Sequence, residues 1–333
     1  NNASGDITGT VSVTVGDDPE NCGVFQIENV YGGGNLAPYG HNDNYPNVRI
    51  VSGTVTGGVY GGGYGQPAVI TGNPQVTVTG GTIGAVYGGG NAAAVTGNTV
   101  VSVSNATVTG SVYGGGNAAG ISGTTSVSVL SGTIGTGIYG GCNAQGNVGS
   151  TATVSVTGGT IGTAETPANI HGGGFGNETR VLGSVSVTLS GMTVNGDVYG
   201  GSAKGKTNGD AARTNGATTA VTMNSGTITG SIYGGGLGDA TYAADVWGPV
   251  TLTINKGSTV GTNVYGGNNA NGSPQVSIDV IVNGPTETEK ASNPLNLNNV
   301  YGGGNEADIA AGCTAPHVNI KGCGTEVNRA FGG

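Results

Sequence analysis

"TVVSVSNATVTGSVYGGGN", Thr99 to Asn117, decides how the whole chain is read. Val101 and Val103 alternate with serines, Val108 follows five residues later, and Val112 four after that. Period-two alternation of β-branched residues marks short strands, and the Ser, Asn and Gly between them supply turns. The same five-then-four spacing recurs in Ile50, Val55 and Val59, in Val129, Ile134 and Ile138, and in Met223, Ile228 and Ile232. Each run closes on an aromatic residue and a cluster of glycines.

Following that aromatic outward gives Tyr31, Tyr60, Tyr87, Tyr113, Tyr139, His171, Tyr199, Tyr233, Tyr265, Tyr301 and Phe331. The shortest step is 26 residues (Tyr87 to Tyr113) and the longest 36 (Tyr265 to Tyr301). Repeats of this length indicate a solenoid, propeller or array. Three short strands with one apolar face cannot bury that face alone, but identical units stacked one strand spacing apart share a continuous interior. The expected fold is therefore all-β, a single right-handed parallel β-helix spanning residues 1–333, with about eleven rungs of roughly three short strands each. At about 4.8 Å per rung the rod would be about 50 Å long. A propeller is disfavoured because a four-stranded blade needs more residues than the commonest interval supplies, and no two-residue hairpin loops recur.

Composition fits this and narrows the function. The chain has 72 glycines in 333 residues, 8% charged residues and a net charge of −9. Basic residues are scattered, so nucleic acid is not an expected partner. Acidic polysaccharides would need a bridging cation. No run of 18 apolar residues is present, so no transmembrane segment is expected. Low Lys and a Thr, Ser, Asn and Gly surface suggest a secreted or cell-surface protein, and the eleventh copy of the motif at Phe331 to Gly333 leads us to expect part of a longer solenoid. The irregular segment Glu20 to Phe25 is expected to cover the first rung. The far end is expected to be open, or covered by the stretch from Cys313 to Cys323. Cys22, Cys142, Cys313 and Cys323 show no C-x-x-C spacing; Cys313 and Cys323 could pair if the compartment is oxidising, and Cys142 reads as a small residue in a glycine position.

With Val112 inward, Tyr113 points outward, and the aromatics form a column. Two readings of it differ. In one it is a structural ladder, with glycines supplying positive φ at a flat corner and Asn35, Asn91, Asn117, Asn143 and Asn305 stacking as an amide ladder beside it. In the other, Tyr60, Tyr87, Tyr113, Tyr139, His171, Tyr199 and Tyr233 are exposed platforms for sugar rings. If the ladder is structural, any specific site is expected in the longer repeats, Gly140 to Arg213 or Gly236 to Tyr301. His171 has no catalytic partner in its motif.

Enzyme chemistry has thin support. Glycoside hydrolysis needs two facing carboxylates, about 5–9.5 Å apart, whereas Asp17, Asp18, Glu20, Asp239, Asp245, Glu287, Glu289, Glu306 and Asp308 fall in turns and insertions. No cofactor is expected. Calcium is possible near Asp239 and Asp245, although the calcium-binding nonapeptide is absent.

The "VYGGGN" copies joined by "VSVSNATVTG"-like strands resemble the Gly-rich, adhesin-like β-helix surface proteins of gut bacteria and, more distantly, autotransporter passenger domains. That resemblance covers essentially the whole chain. It implies a secreted or surface-anchored protein engaged in attachment, with an extracellular glycan or a host or bacterial surface ligand as partner. The expected function is a non-catalytic adhesin or glycan-binding solenoid; the alternative is a β-helical polysaccharide lyase or glycoside hydrolase.

Overall fold

The structure, a computed structural model, describes residues 9–16, 25–41, 43–210, 216–292 and 294–333. Strands are its only regular elements there, and they stack as a parallel β-solenoid. One wall is an 11-stranded sheet whose strands neighbour one another in chain order, from Ser12–Val15 to His317–Lys321. In a typical rung, Thr99–Val103 belongs to this wall, and Thr107–Val108 and Ser111–Tyr113 to the next. Every pairing is parallel and keeps equivalent residues opposite each other: Val101 faces Val76 and Val127, and Tyr113 faces Tyr87 and Tyr139.

The interior follows the spacing read from the sequence. Val101, Val103, Val108 and Val112 are fully buried, as are Val129, Ile134 and Ile138, and Met223, Ile228 and Ile232. They belong to one core running the length of the rod. A further inward column closes the third side: single parallel bridges join Ile70, Val95, Ile121 and Val148, and farther along Gln145–Val148, Glu178–Val181 and Lys206–Thr207 form a short parallel sheet. It was not anticipated from the sequence, because in the shortest repeats a single bridge per rung leaves only a lone β-branched residue, Val95 or Ile121, among turn residues. Nor does it keep a constant distance from the aromatic: Ile70 lies ten residues after Tyr60, Val95 and Ile121 eight after Tyr87 and Tyr113, and Val148 nine after Tyr139.

At the ends, the expected cap from Glu20 lies largely outside the described residues; Phe25 packs partly buried against the core. The segment after Cys313 forms another rung rather than a lid. Its strand His317–Lys321 pairs in register with Ile278–Asn283, and Thr325–Phe331 pairs with Leu295–Tyr301. Cys313 and Cys323 are free thiols, contrary to the suggested disulfide. They flank a five-residue strand whose ends are about 13 Å apart at about 3.3 Å per residue, too far for sulfurs whose Cα atoms must lie within about 7 Å.

Candidate functional site

From Tyr31 to Phe331 the eleven rings form one stack. Successive centroids are 4.6–5.1 Å apart and the planes lie within 3–11° of parallel. The spacing is that of the rungs, so the in-register backbone holds the rings in contact. The tyrosines leave the strand on the side opposite the core, as expected, yet Tyr60, Tyr87, Tyr113, Tyr139, His171, Tyr199 and Tyr233 are only 1–8% exposed. Each ring is covered above and below by its neighbours. It also lies back over the residue two positions earlier: a Cβ on Gly58 would sit 2.6 Å from the Tyr60 ring. A sugar stacking on a ring needs an open face, and inside this column no ring offers one.

Beside part of the stack runs an amide ladder. Asn117 Nδ2 donates to Asn91 Oδ1 (2.7 Å), and Asn143 Nδ2 to Asn117 Oδ1 (2.8 Å). Farther along, Asn305 Nδ2 donates to Asn269 Oδ1 (3.0 Å). The ladder also serves the phenols: Asn269 Nδ2 donates to Tyr199 Oη (2.8 Å), and Tyr265 Oη donates to Asn305 Oδ1 (3.0 Å). Tyr199 Oη in turn donates to Asp197 Oδ2 (3.0 Å). Burial pushes the Tyr87 and Tyr139 phenols up to about 12, so they remain neutral donors.

The glycines have a different cause from the one expected. None of the glycines directly following the column's aromatics has positive φ. A Cβ on the first of them would instead collide with the next rung's backbone: on Gly114 it would lie 2.3 Å from the Gly140 carbonyl oxygen, and on Gly61 2.2 Å from that of Gly88. Close approach of successive rungs demands glycine here. The second glycine leaves room for the core, since a Cβ on Gly89 would lie 2.7 Å from Ile121 Cδ1.

His171 stacks between Tyr139 (5.1 Å) and Tyr199 (4.6 Å). Its Nδ1 is buried without a partner among the described residues, and burial pushes its pKa down to about 3. It is a neutral ring substituting for tyrosine in the stack. Cys142 is buried in its glycine position, and burial pushes its thiol up to about 12.

The unexpected feature is the column after the glycines. The sequence reading counted only its asparagines; followed rung by rung it reads Asn35, Tyr64, Asn91, Asn117, Asn143, Phe175, Ala203, Leu237, Asn269 and Asn305. Aromatic residues interrupt the amide ladder twice, and both are exposed: Tyr64 at 46% and Phe175 at 40%. Both meet the stack edge-on in the same way, Tyr64 against Tyr31 (5.5 Å, 80°) and Phe175 against Tyr139 (5.4 Å, 73°). A cleft of about 370 Å³ opens beside Tyr64, lined by Asn29, Tyr31, Gly33, Asn35 and Tyr64. In the longer repeats, Lys204 Nζ pairs with Asp239 Oδ2 (2.9 Å) and lies 6.0 Å from the centre of the exposed Tyr242 ring.

Four of the acidic residues, Asp239, Asp245, Glu287 and Glu289, have local partners. Asp239 Oδ1 also accepts from the Thr241 and Tyr242 backbone N–H groups, and Asp245 Oδ1 from that of Ser273. Glu287 pairs with Lys290 and Glu289 with Lys256. Glu306 and Asp308 are exposed, whereas Asp17, Asp18 and Glu20 lie outside the described residues. Among the described residues, no three His, Cys, Asp or Glu side chains converge as a metal site. No helix there is long and apolar enough to cross a membrane.

No family model, curated protein or solved structure matches the chain.

Proposed function

We propose that the chain is a non-catalytic extracellular solenoid that attaches to glycans, an adhesin or glycan-binding stalk. The observation that carries this reading is the pair of exposed rings, Tyr64 and Phe175, standing out where the amide ladder is interrupted. Most outward polar groups near the ring column are committed to rung-to-rung bonding, so these rings are where the flank can do something besides hold itself together. Exposed rings next to amides suit sugars, whose C–H faces stack on aromatics and whose hydroxyls bond to amides. In this reading the buried column from Tyr60 to Tyr233 is the rigid support for those rings. The low charge and the regular rod suit a spacer that presents a ligand site away from a surface.

A glycan array probed with the intact chain tests this, in parallel with incubation on neutral and acidic polysaccharides and assay for new reducing ends and unsaturated products. Retention on glycans without product is expected. Steady product release would instead make the chain a lyase or hydrolase.

A further inference from the structure

We propose that the cleft between Tyr31 and Tyr64 is a saccharide site that takes one neutral pyranose unit of a glycan, with Tyr64 as its stacking platform. This rests on the glycan-binding reading above and gives it a place and a ligand class.

The cleft is within the size range of small-ligand sites. Two of its walls are rings at 80° to each other, forming an inside corner: a pyranose can lie flat on one ring and meet the edge of the other. Tyr64 is more exposed than Phe175 or Tyr242, each 40%, yet its backbone is fixed on both sides. Its N–H donates to Gly34 O (3.0 Å), and its carbonyl accepts from Ala92 N–H (2.8 Å). A rigidly held ring loses little freedom when a ligand stacks on it. Tyr31 has a stacked neighbour on one side only among the described residues, Tyr60, unlike the tyrosines deeper in the column.

The polar groups select the ligand. Asn29 Oδ1 accepts from Gly58 N–H (2.8 Å), while its Nδ2 makes only a long bond to Glu28 Oε1 (3.4 Å). The second amide hydrogen therefore has no protein acceptor among the described residues and is a donor for a sugar hydroxyl. Glu28, exposed beside Asn29, offers carboxylate oxygens to hydroxyl groups and repels a uronate. No basic side chain lines the cleft. The chemistry is that of a neutral hexose or N-acetylhexosamine. The Phe175 ring stands instead among repeats carrying the Lys204–Asp239 ion pair.

The test uses the intact chain with hexasaccharides of glucose, mannose, galactose, N-acetylglucosamine and galacturonate, read by saturation-transfer NMR and calorimetry. Tyr64→Ala and Phe175→Ala are compared with the parent, together with Tyr64→Asn, which places the ladder's own residue at the site. Binding of a neutral hexasaccharide weakened at least tenfold in both Tyr64 variants but kept in Phe175→Ala, at unchanged melting temperature, is the expected result. Equal binding by the Tyr64 variants and the parent would overturn this site while leaving glycan binding intact. Preference for galacturonate would overturn the ligand class. Binding of no hexasaccharide by the parent would overturn both the site and the reading on which it rests.

Discussion

Replacing Gly114 with alanine separates two explanations of the glycine clusters by the sign of the effect. Gly114 has no positive φ, so if only chain freedom mattered, alanine would stabilise the fold by about 0.4–1 kcal/mol through the unfolded state. The structure demands the reverse. The new Cβ would lie 2.3 Å from the Gly140 carbonyl oxygen and 3.0 Å from Thr125 Cβ. Relief requires the two rungs to separate where Gly114 N–H donates to Tyr139 O (2.8 Å) and Gly115 N–H to Gly141 O (3.0 Å). Overpacking and the weakening of these two bonds together cost roughly 2–6 kcal/mol. Gly40→Ala is the control, because a Cβ there meets nothing within 4 Å; it should be neutral or slightly stabilising. Stacked repeats need not unfold all at once, so thermal melting should be paired with hydrogen exchange resolved to individual rungs. Gly114→Ala should melt lower and lose protection across residues 111–117 and 137–143. If it matches the parent or Gly40→Ala in both measurements, close approach is not what the glycine is for.

Val108→Asp would place an unpaired carboxylate in the core at a fully buried position and should cost at least about 4 kcal/mol; a soluble product with the parent's melting temperature would remove the basis for the inward register. Replacing Tyr87, Tyr113 and Tyr139 together with alanine removes the four stackings from Tyr60 to His171, worth about 0.5–1.5 kcal/mol each before burial is counted. A clear drop in melting temperature is expected, and an unchanged one would show that the column is not structural. His171, with its pKa pushed down to about 3 by burial, stays neutral in the fold, whereas the unfolded chain takes up that proton below about pH 6.5. Its contribution is therefore complete above that pH and lost as pH falls toward 3. Denaturant titrations of His171→Tyr should show a flatter pH dependence over that window than the parent, and identical slopes would refute the buried neutral imidazole.

The walls of the solenoid were legible because a parallel stack repeats its constraints. Val101, Val103, Val108 and Val112 meet the same partners in every rung, so the pattern is written many times over. Tyr113 was placed on the correct side of its strand for the same reason. Its burial was not legible, because it depends on neighbours dozens of residues away, Tyr87 and Tyr139 over its faces. The cause of the glycines was hidden too: the atom excluding a side chain from Gly114 belongs to Gly140, one rung later. Tyr64 and Phe175 were visible as letters but not as a site. Their meaning comes from the column they interrupt, and that column appears only when the rungs are aligned on the aromatic.

The third motif position shows how such a tight corner still accepts variation. Cys142, Ser202 and Asn268 occupy it, and each alternates with glycine at the same place in the rungs before and after: Gly116, Gly174, Gly236 and Gly304. A Cβ on the second glycine of the preceding rung would strike each of these side chains, Gly115 meeting Cys142 Sγ at 2.5 Å, Gly173 meeting Ser202 Oγ at 2.1 Å and Gly235 meeting Asn268 Oδ1 at 2.0 Å. A side chain in one rung is therefore housed by the glycine one rung earlier. Being buried, its polar atoms must also find partners, and they do. Asn268 Oδ1 accepts from Gly236 N–H (2.9 Å), and its Nδ2 donates to Ala244 O (2.9 Å) and Asn271 O (3.1 Å). The Ser202 hydroxyl accepts from Gly174 N–H (3.2 Å). The second position is glycine in every rung from Gly33 to Gly303, so the room it leaves is always present and the third position of the following rung can take a side chain whenever its polar atoms find partners.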